Sequence, residues 1–274
     1  MDFLDYVVFF LEMLFYTIGA VVICGLVVGL CERLFLYLMG PGVGRGVVIG
    51  TSIIGTPIHE LSHALMCLIF RHRIQEVKLW QPSSEDGTLG YVTHSYNPRN
   101  IYQNLGNLFI GLGPIFGGLG VLTLCMFICF PNTLENYWIS ASYMVRAGEG
   151  VGNILMEGLR IIPNMFKEFS GESIPVWARI IGLLVMFSVS LHINLSLADI
   201  KGAATAIPLY LVLILIPTVI ISLIGYVAMD TVRAALQTFS ALMFALFTIV
   251  FVFVLIQLAI ALVVHILRRF LFHR

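Results

Sequence analysis

Gly50-Thr51-Ser52-Ile53-Ile54-Gly55-Thr56-Pro57-Ile58-His59-Glu60-Leu61-Ser62-His63-Ala64-Leu65-Met66-Cys67-Leu68-Ile69-Phe70 decides how the chain is read. It sets His-Glu-x-x-His inside a run otherwise apolar enough for a bilayer. Residues four apart on a helix share a face. His59 and His63 therefore direct two imidazoles at one metal ion, with Glu60 beside them as a general base. Ionisable groups at membrane depth are costly and mark function. The stretch reads as the catalytic helix of a zinc-dependent peptide hydrolase working inside a membrane.

Composition agrees. The chain has 274 residues, 59% of them hydrophobic and 11% charged, far from an ordinary soluble domain. Fifteen Lys and Arg balance fifteen Asp and Glu, so no basic surface points to nucleic acid. The start, Met1-Asp2-Phe3-Leu4-Asp5, lacks the positive region of a secretory signal, and the first apolar run is expected to stay as a spanning helix. Cys24, Cys31, Cys67, Cys125 and Cys129 lie in or at the ends of apolar runs with no Cys-x-x-Cys pair, which predicts buried free thiols.

Charges mark the expected spans. The uncharged run between Glu12 and Glu32 predicts a first helix extending past both glutamates, which then sit at the interface. Gly40-Pro41-Gly42-Val43-Gly44 breaks the chain before a second helix over about residues 45–70. Pro57 removes a backbone donor just before His59 and predicts a bend. After Arg71, Arg73 and Lys78, the segments Ile74–Trp80 and Gly90–Tyr96 read as strands around the turn-rich stretch Gln81–Gly87. This is a small β-hairpin at the membrane surface between helices two and three. An open strand edge can take up an extended peptide, which makes Gly90, Tyr91, Val92 and Thr93 the candidate substrate contacts.

A third helix over about residues 104–130 carries Asn107, read as a helix–helix hydrogen bond, and the small-xxx-small pair Gly113 and Gly117. Residues 131–178 mix Glu135, Arg146, Glu149, Glu157, Arg160, Lys167, Glu168 and Glu172 with apolar groups and predict one or two interfacial helices. Arg179 and Asp199, Lys201 and Asp230, and Arg233 and Arg268 bracket three more spans. The expected fold is an all-α polytopic membrane protein with about six transmembrane helices. It forms one domain over residues 1–274, with a catalytic core at about 45–203 and accessory helices at 1–38 and 204–274. Six spans place both termini on one side. The basic cluster after helix two and the C-terminal Arg268-Arg269-Phe270-Leu271-Phe272-His273-Arg274 assign that side to the cytoplasm of a cell membrane.

Two histidines do not complete a catalytic zinc site, which uses three protein ligands. The candidates are Asp199 and His192, seven residues earlier and about 10 Å nearer the membrane centre on one helix. A single rigid helix cannot give both to one ion. His94, His265 and His273 stand alone and read as structural.

His59-Glu60-Leu61-Ser62-His63-Ala64-Leu65, after its glycine-rich lead-in, resembles the site-2 protease family of intramembrane zinc metalloproteases. Gly90-Tyr91-Val92-Thr93-His94 and Gly113-Pro114-Ile115-Phe116-Gly117 resemble the smaller branch of that family. The similarity covers about residues 50–120 and a patch around Asp199. It implies that Asp199 completes the Zn2+ site, that there are six spans with cytoplasmic termini, and that the substrate is a membrane-spanning protein or peptide. The chain departs from the family pattern in carrying Asp199-Ile200 where Asp-Gly is usual. It also has no proline between Leu183 and Ala206 and no asparagine shortly after the Gly-Pro of helix three. These departures suit a second class, a non-catalytic scaffold that binds partner transmembrane segments. A transporter, the third class, is disfavoured by the lack of an internal repeat.

Overall fold

The computed structural model describes residues 3–83, 87–148, 150–169, 171 and 174–272. Met1, Asp2, Ser84, Glu85, Asp86, Glu149, Ser170, Glu172, Ser173, His273 and Arg274 lie outside the described residues.

Without a breaker, the first apolar run is helical from Phe3 to Met39. It comprises α1 (Phe3–Leu14), a π-helical turn (Phe15–Gly19) and α2 (Ala20–Met39), and it passes through both Glu12 and Glu32. Gly40, with φ of 76°, turns the chain into α3 (Pro41–Ile69). α3 opens on Pro41, earlier than expected, because proline suits the first turn of a helix. It continues through Pro57 without ending. Arg71 then takes the left-handed conformation (φ 58°), and the His72 N–H donates to the Cys67 carbonyl at 2.8 Å, a Schellman-type stop.

β1 (Arg73–Lys78) and β2 (Tyr91–Ser95) form the expected antiparallel hairpin, with a bulge between Ile74 and Glu76. The hairpin folds back along α3, with Trp80 Nε1–H donating to Ser52 Oγ at 2.9 Å. Pro82, Gly87 and Leu89 share a hollow with Gly40, Pro41 and Arg45 at the start of α3. From Phe70 to Ser52 the return covers about 27 Å of helix.

α4 (Ile101–Cys129) starts at Asn100, whose side chain accepts the Gln103 N–H at 3.2 Å. It crosses α3 closely: a Cβ on Gly113 would lie 3.1 Å from the Ser62 carbonyl oxygen, and one on Gly117 would strike the Ser62 side chain. The next segment forms three short helices, one more than expected: α5 (Pro131–Arg146), α6 (Val151–Leu159) and α7 (Ile161–Phe169). Glu168 caps α5 through the Thr133 N–H at 2.8 Å and its hydroxyl at 2.7 Å.

The expected fourth span is broken. α8 (Val176–Ser190) is followed by an irregular stretch over residues 191–196 and then by α9 (Leu197–Ala204). No proline is needed, because side chains take over the groups orphaned at two helix ends. Gln257 Nε2 donates to the Phe187 carbonyl at 3.0 Å and to Ser190 Oγ at 2.6 Å, and His192 Nδ1–H donates to the Ser188 carbonyl at 2.8 Å. Ser196 Oγ accepts the Asp199 N–H at 3.1 Å, while Asp199 Oδ2 accepts the Ser196 N–H at 2.8 Å, a reciprocal capping box. His192 and Asp199 therefore do not share a helix.

α10 (Ile207–Ile224) ends at Gly225, whose φ of 122° turns the chain into α11 (Tyr226–Phe272). Asp230 and Arg233, expected at span boundaries, lie inside α11. This last helix runs parallel to the first. Arg233 pairs with Glu12 at 2.7 Å, Gln237 donates to Tyr16 Oη at 3.3 Å, His265 Nδ1–H donates to the Leu38 carbonyl at 3.2 Å, and Arg268 donates to the Met39 carbonyl. Six alternating spans in which each of these helices crosses once would set the first and last antiparallel; six spans are not confirmed by this structure.

The fold is all-α with one small two-stranded sheet. Among the described residues, four helices are long and apolar enough to cross a membrane: Phe3–Met39, Ile101–Cys129, Ile207–Ile224 and Tyr226–Phe270. The main core joins α2, α4, α8 and α11 around Val28, Ile115, Leu122, Met186 and Val250. The five cysteines are free thiols, buried or half-buried.

Candidate metal centre

α3 presents His59 and His63 on one face, with their Nε2 atoms 3.2 Å apart. Each ring is fixed from behind. His59 Nδ1–H donates to the His192 carbonyl and His63 Nδ1–H to the Ile110 carbonyl, both at 2.8 Å. A carbonyl can only accept, so in the neutral rings both Nε2 atoms carry lone pairs. α9 brings Asp199 to the same point, its Oδ1 at 3.1 Å from His63 Nε2 and its Oδ2 at 3.7 Å from His59 Nε2. The three donor groups lie within 4.8 Å of one another and can hold a metal ion.

The spacing of the donor set suits such an ion. Nitrogens at about 2.0–2.1 Å from a tetrahedral ion stand roughly 3.3 Å apart, which the observed spacing matches. Back-bonding of both ligating histidines to carbonyls is the usual way such rings are oriented.

Glu60 follows His59 on α3 and is buried. It lines, with the triad, a cavity of about 590 Å³. α2 contributes Glu32 to the wall, α4 contributes Asn107, Ile110 and Gly111, and the 191–196 stretch contributes His192, Asn194 and Ser196. The hairpin closes another side through residues 87–92 and His94. Gly90 lies directly over α3, because a Cβ there would meet Glu60 Cγ, Thr56 Cγ2 and the Lys78 carbonyl, each at 2.8 Å. Gly111 does the same for α9, its missing Cβ leaving room for the Asp199 carbonyl at 2.6 Å.

The sequence-predicted residues are thus brought together with one exception. His59, His63 and Asp199 meet at one point, and Glu60 lines the cavity they share. Gly90, Tyr91 and Val92 line the cavity, while Thr93 is exposed on the hairpin and does not. β2 pairs only with β1, leaving its other edge unpaired among the described residues. His192, the rival ligand, acts through its backbone carbonyl; its ring donates to Ser188 instead. Asn107 donates to Thr205 Oγ1 at 3.1 Å, the helix–helix bond expected of it, and also reaches the cavity wall.

Three features escaped the sequence reading. Glu32, assigned to an accessory helix, faces the cavity and accepts a hydrogen bond from Asn194. His94 is not isolated: His72 Nε2–H donates to the Gln103 carbonyl at 2.7 Å, so His94 Nδ1–H donates to His72 Nδ1 at 3.0 Å. Burial, then the neighbouring His72 and His63, hold His94 below the ordinary imidazole range. Gln257 of α11 keeps the end of α8 in place and with it the His192 carbonyl. Comparison with protein families, with curated proteins and with solved structures yields no match to the chain.

Proposed function

We propose that the chain is an intramembrane zinc metalloprotease of the site-2 protease kind, hydrolysing a peptide bond in or near a membrane-spanning segment of its substrate. One observation carries the reading: two histidine Nε2 atoms, each oriented by a backbone carbonyl, converge with Asp199 on a cavity that Glu60 also lines. His59, His63 and Asp199 would hold the zinc. When bound, zinc supplies a Lewis acid that polarises the scissile carbonyl and lowers the pKa of a nearby water to about 7. Glu60 takes the proton of that water on its carboxylate and later gives it to the leaving amine. The free edge of β2 and the Gly90 backbone hold the substrate extended over Glu60. The capped start of α9 keeps the Asp199 carboxylate facing the histidines.

The membrane reading rests on the four long apolar helices and on α3, whose polar face turns into the cavity. α8, with 15 residues or about 22 Å, falls short of a hydrocarbon core of about 30 Å. Five crossings agree with the parallel course of the first and last helices.

The test is metal analysis and proteolysis of the full-length protein in liposomes. Wild type is expected to hold about one zinc per chain and to cut a membrane-spanning test substrate. Glu60→Gln is expected to keep the zinc and lose cleavage, whereas Asp199→Ala loses both. Stoichiometric zinc with no cleavage across a broad panel of membrane substrates would favour a non-catalytic scaffold that uses the same cavity to hold partner segments.

A further inference from the structure

The cavity wall beside α2 collects hydrogen-bond acceptors that the protein does not match with donors. Glu32 Oε2 accepts the Asn194 Nδ2–H, so the amide oxygen of Asn194 is left over as an acceptor. His192 Nδ1–H is committed to the Ser188 carbonyl, so in the neutral ring Nε2 is an acceptor too, and it is buried with no protein partner. Gly29, one turn before Glu32 on α2, lies 3.9 Å from Asn194 Cβ when a Cβ is placed on it, which seats the 191–196 stretch against this face of α2.

Charge points the same way. Glu32, Glu60 and Asp199 are the carboxylates facing the cavity, and no lysine or arginine lines it among the described residues. The ion pairs among those residues join His59 and His63 to Asp199, Arg160 to Glu157, and Arg233 to Glu12 and Asp230; none includes Glu32. One divalent ion at the triad offsets two of the three charges. Keeping a half-buried carboxylate charged with one neutral amide as its hydrogen-bond partner is costly, and a cation that reaches it removes that cost.

We infer that Glu32, with His192 Nε2 and the Asn194 amide oxygen, forms a specificity subsite for a lysine or arginine side chain of the substrate. The inference rests on the protease reading above and deepens it. An ammonium carries three donors and a guanidinium five, enough in number for the three acceptors. Basic side chains are rare within membrane spans and gather at their ends. A subsite of this kind selects substrates whose scissile bond lies near a basic membrane boundary. A merely structural Glu32 would serve only to anchor Asn194, and a glutamine at this position keeps an acceptor oxygen for that bond.

A library of membrane-spanning peptides, randomised around one end of the span, is cut in liposomes by zinc-loaded wild type, Glu32→Gln and Glu32→Lys, and the cleavage sites are read by mass spectrometry. Zinc content is measured for each protein as the check on folding. Wild type is expected to enrich Lys or Arg about tenfold at one position relative to the cut, which corresponds to about 1.4 kcal/mol. Glu32→Gln loses that enrichment, with KM rising for cationic substrates more than for neutral ones, and Glu32→Lys shifts it to Asp and Glu. Cleavage with no cationic preference, or with a preference unchanged in both variants, overturns the subsite and leaves the protease reading standing. No cleavage by zinc-loaded wild type overturns the protease reading and the subsite with it.

Discussion

Gly90 shows how closely the hairpin is fitted to α3. A methyl group there would stand 2.8 Å from Glu60 Cγ, Thr56 Cγ2 and the Lys78 carbonyl, all well inside normal contact distance. One of the three is backbone, so the hairpin itself has to move. Gly90→Ala is expected to cost about 1–3 kcal/mol of stability. It should also lower cleavage at least tenfold with zinc retained, because none of the three clashing groups is a ligand. Gly87 is the control. Its φ of 79° penalises alanine by roughly 1–2 kcal/mol, but among the described residues nothing lies within 4 Å of the added methyl. Gly87→Ala should therefore lose stability and keep its activity. Thermal midpoints, metal content and cleavage of the two variants check the pair, and a fully active Gly90→Ala protein would show that the hairpin does not bear on Glu60. At this scale His59, Glu60 and His63 were legible because helical periodicity alone aligns them. Asp199 was legible as one of two candidate ligands. The carbonyls of His192 and Ile110 were not, since any residue carries one, and Glu32 looked like every other acid at the end of an apolar run.

The break between α8 and α9 is the element on which the metal centre depends. Ser196 holds the first turn of α9, and Asp199 answers it with one carboxylate oxygen while the other faces His63. Ser196→Ala removes the hydroxyl that accepts the Asp199 N–H, a loss of about 1 kcal/mol at a helix start. It also loosens the carboxylate that the cap orients. Zinc affinity is expected to fall about 10–100-fold, the range found when a group supporting a ligand is removed. His192→Ala keeps the backbone carbonyl that His59 uses and should retain zinc at full occupancy. Titration against a chromophoric chelator separates the two, and equal affinity in Ser196→Ala and wild type would detach the cap from the metal site. The signal for the break was present: Ser196-Leu197-Ala198-Asp199 has the spacing of a capping box. The uncharged run from Arg179 to Asp199 outweighed it, because apolar length says nothing about carbonyls that Gln257, seventy residues away from Phe187, arrives to satisfy.

Across the whole molecule, charge was the guide to span ends, and a charge expected at a span end need not end a helix. Glu12 and Arg233 meet at 2.7 Å in the contact between Phe3–Met39 and α11, with Asp230 at 2.5 Å from Arg233 completing the group. A carboxylate and a guanidinium that neutralise each other can sit along a helix that neither of them ends. The apolar runs, the hairpin and the all-α class were legible because length and periodicity carry them; the direction of the last helix was not, since no local pattern encodes which neighbour it lies beside. That direction has a measurable consequence. Contacts run in step from Glu12–Arg233 through Tyr16–Gln237 and Leu38–His265 to Met39–Arg268, so α1–α2 and α11 point the same way along their shared length. If each crosses the bilayer once, the two ends of the chain emerge on opposite faces. Single epitope tags at the N- and C-terminus, probed by protease protection in sealed vesicles, are expected to show one tag cleaved and the other protected. Inverting the vesicles should exchange them. Both tags on one face would exclude an odd number of crossings and return the path to six alternating spans, with α8 crossing despite its length.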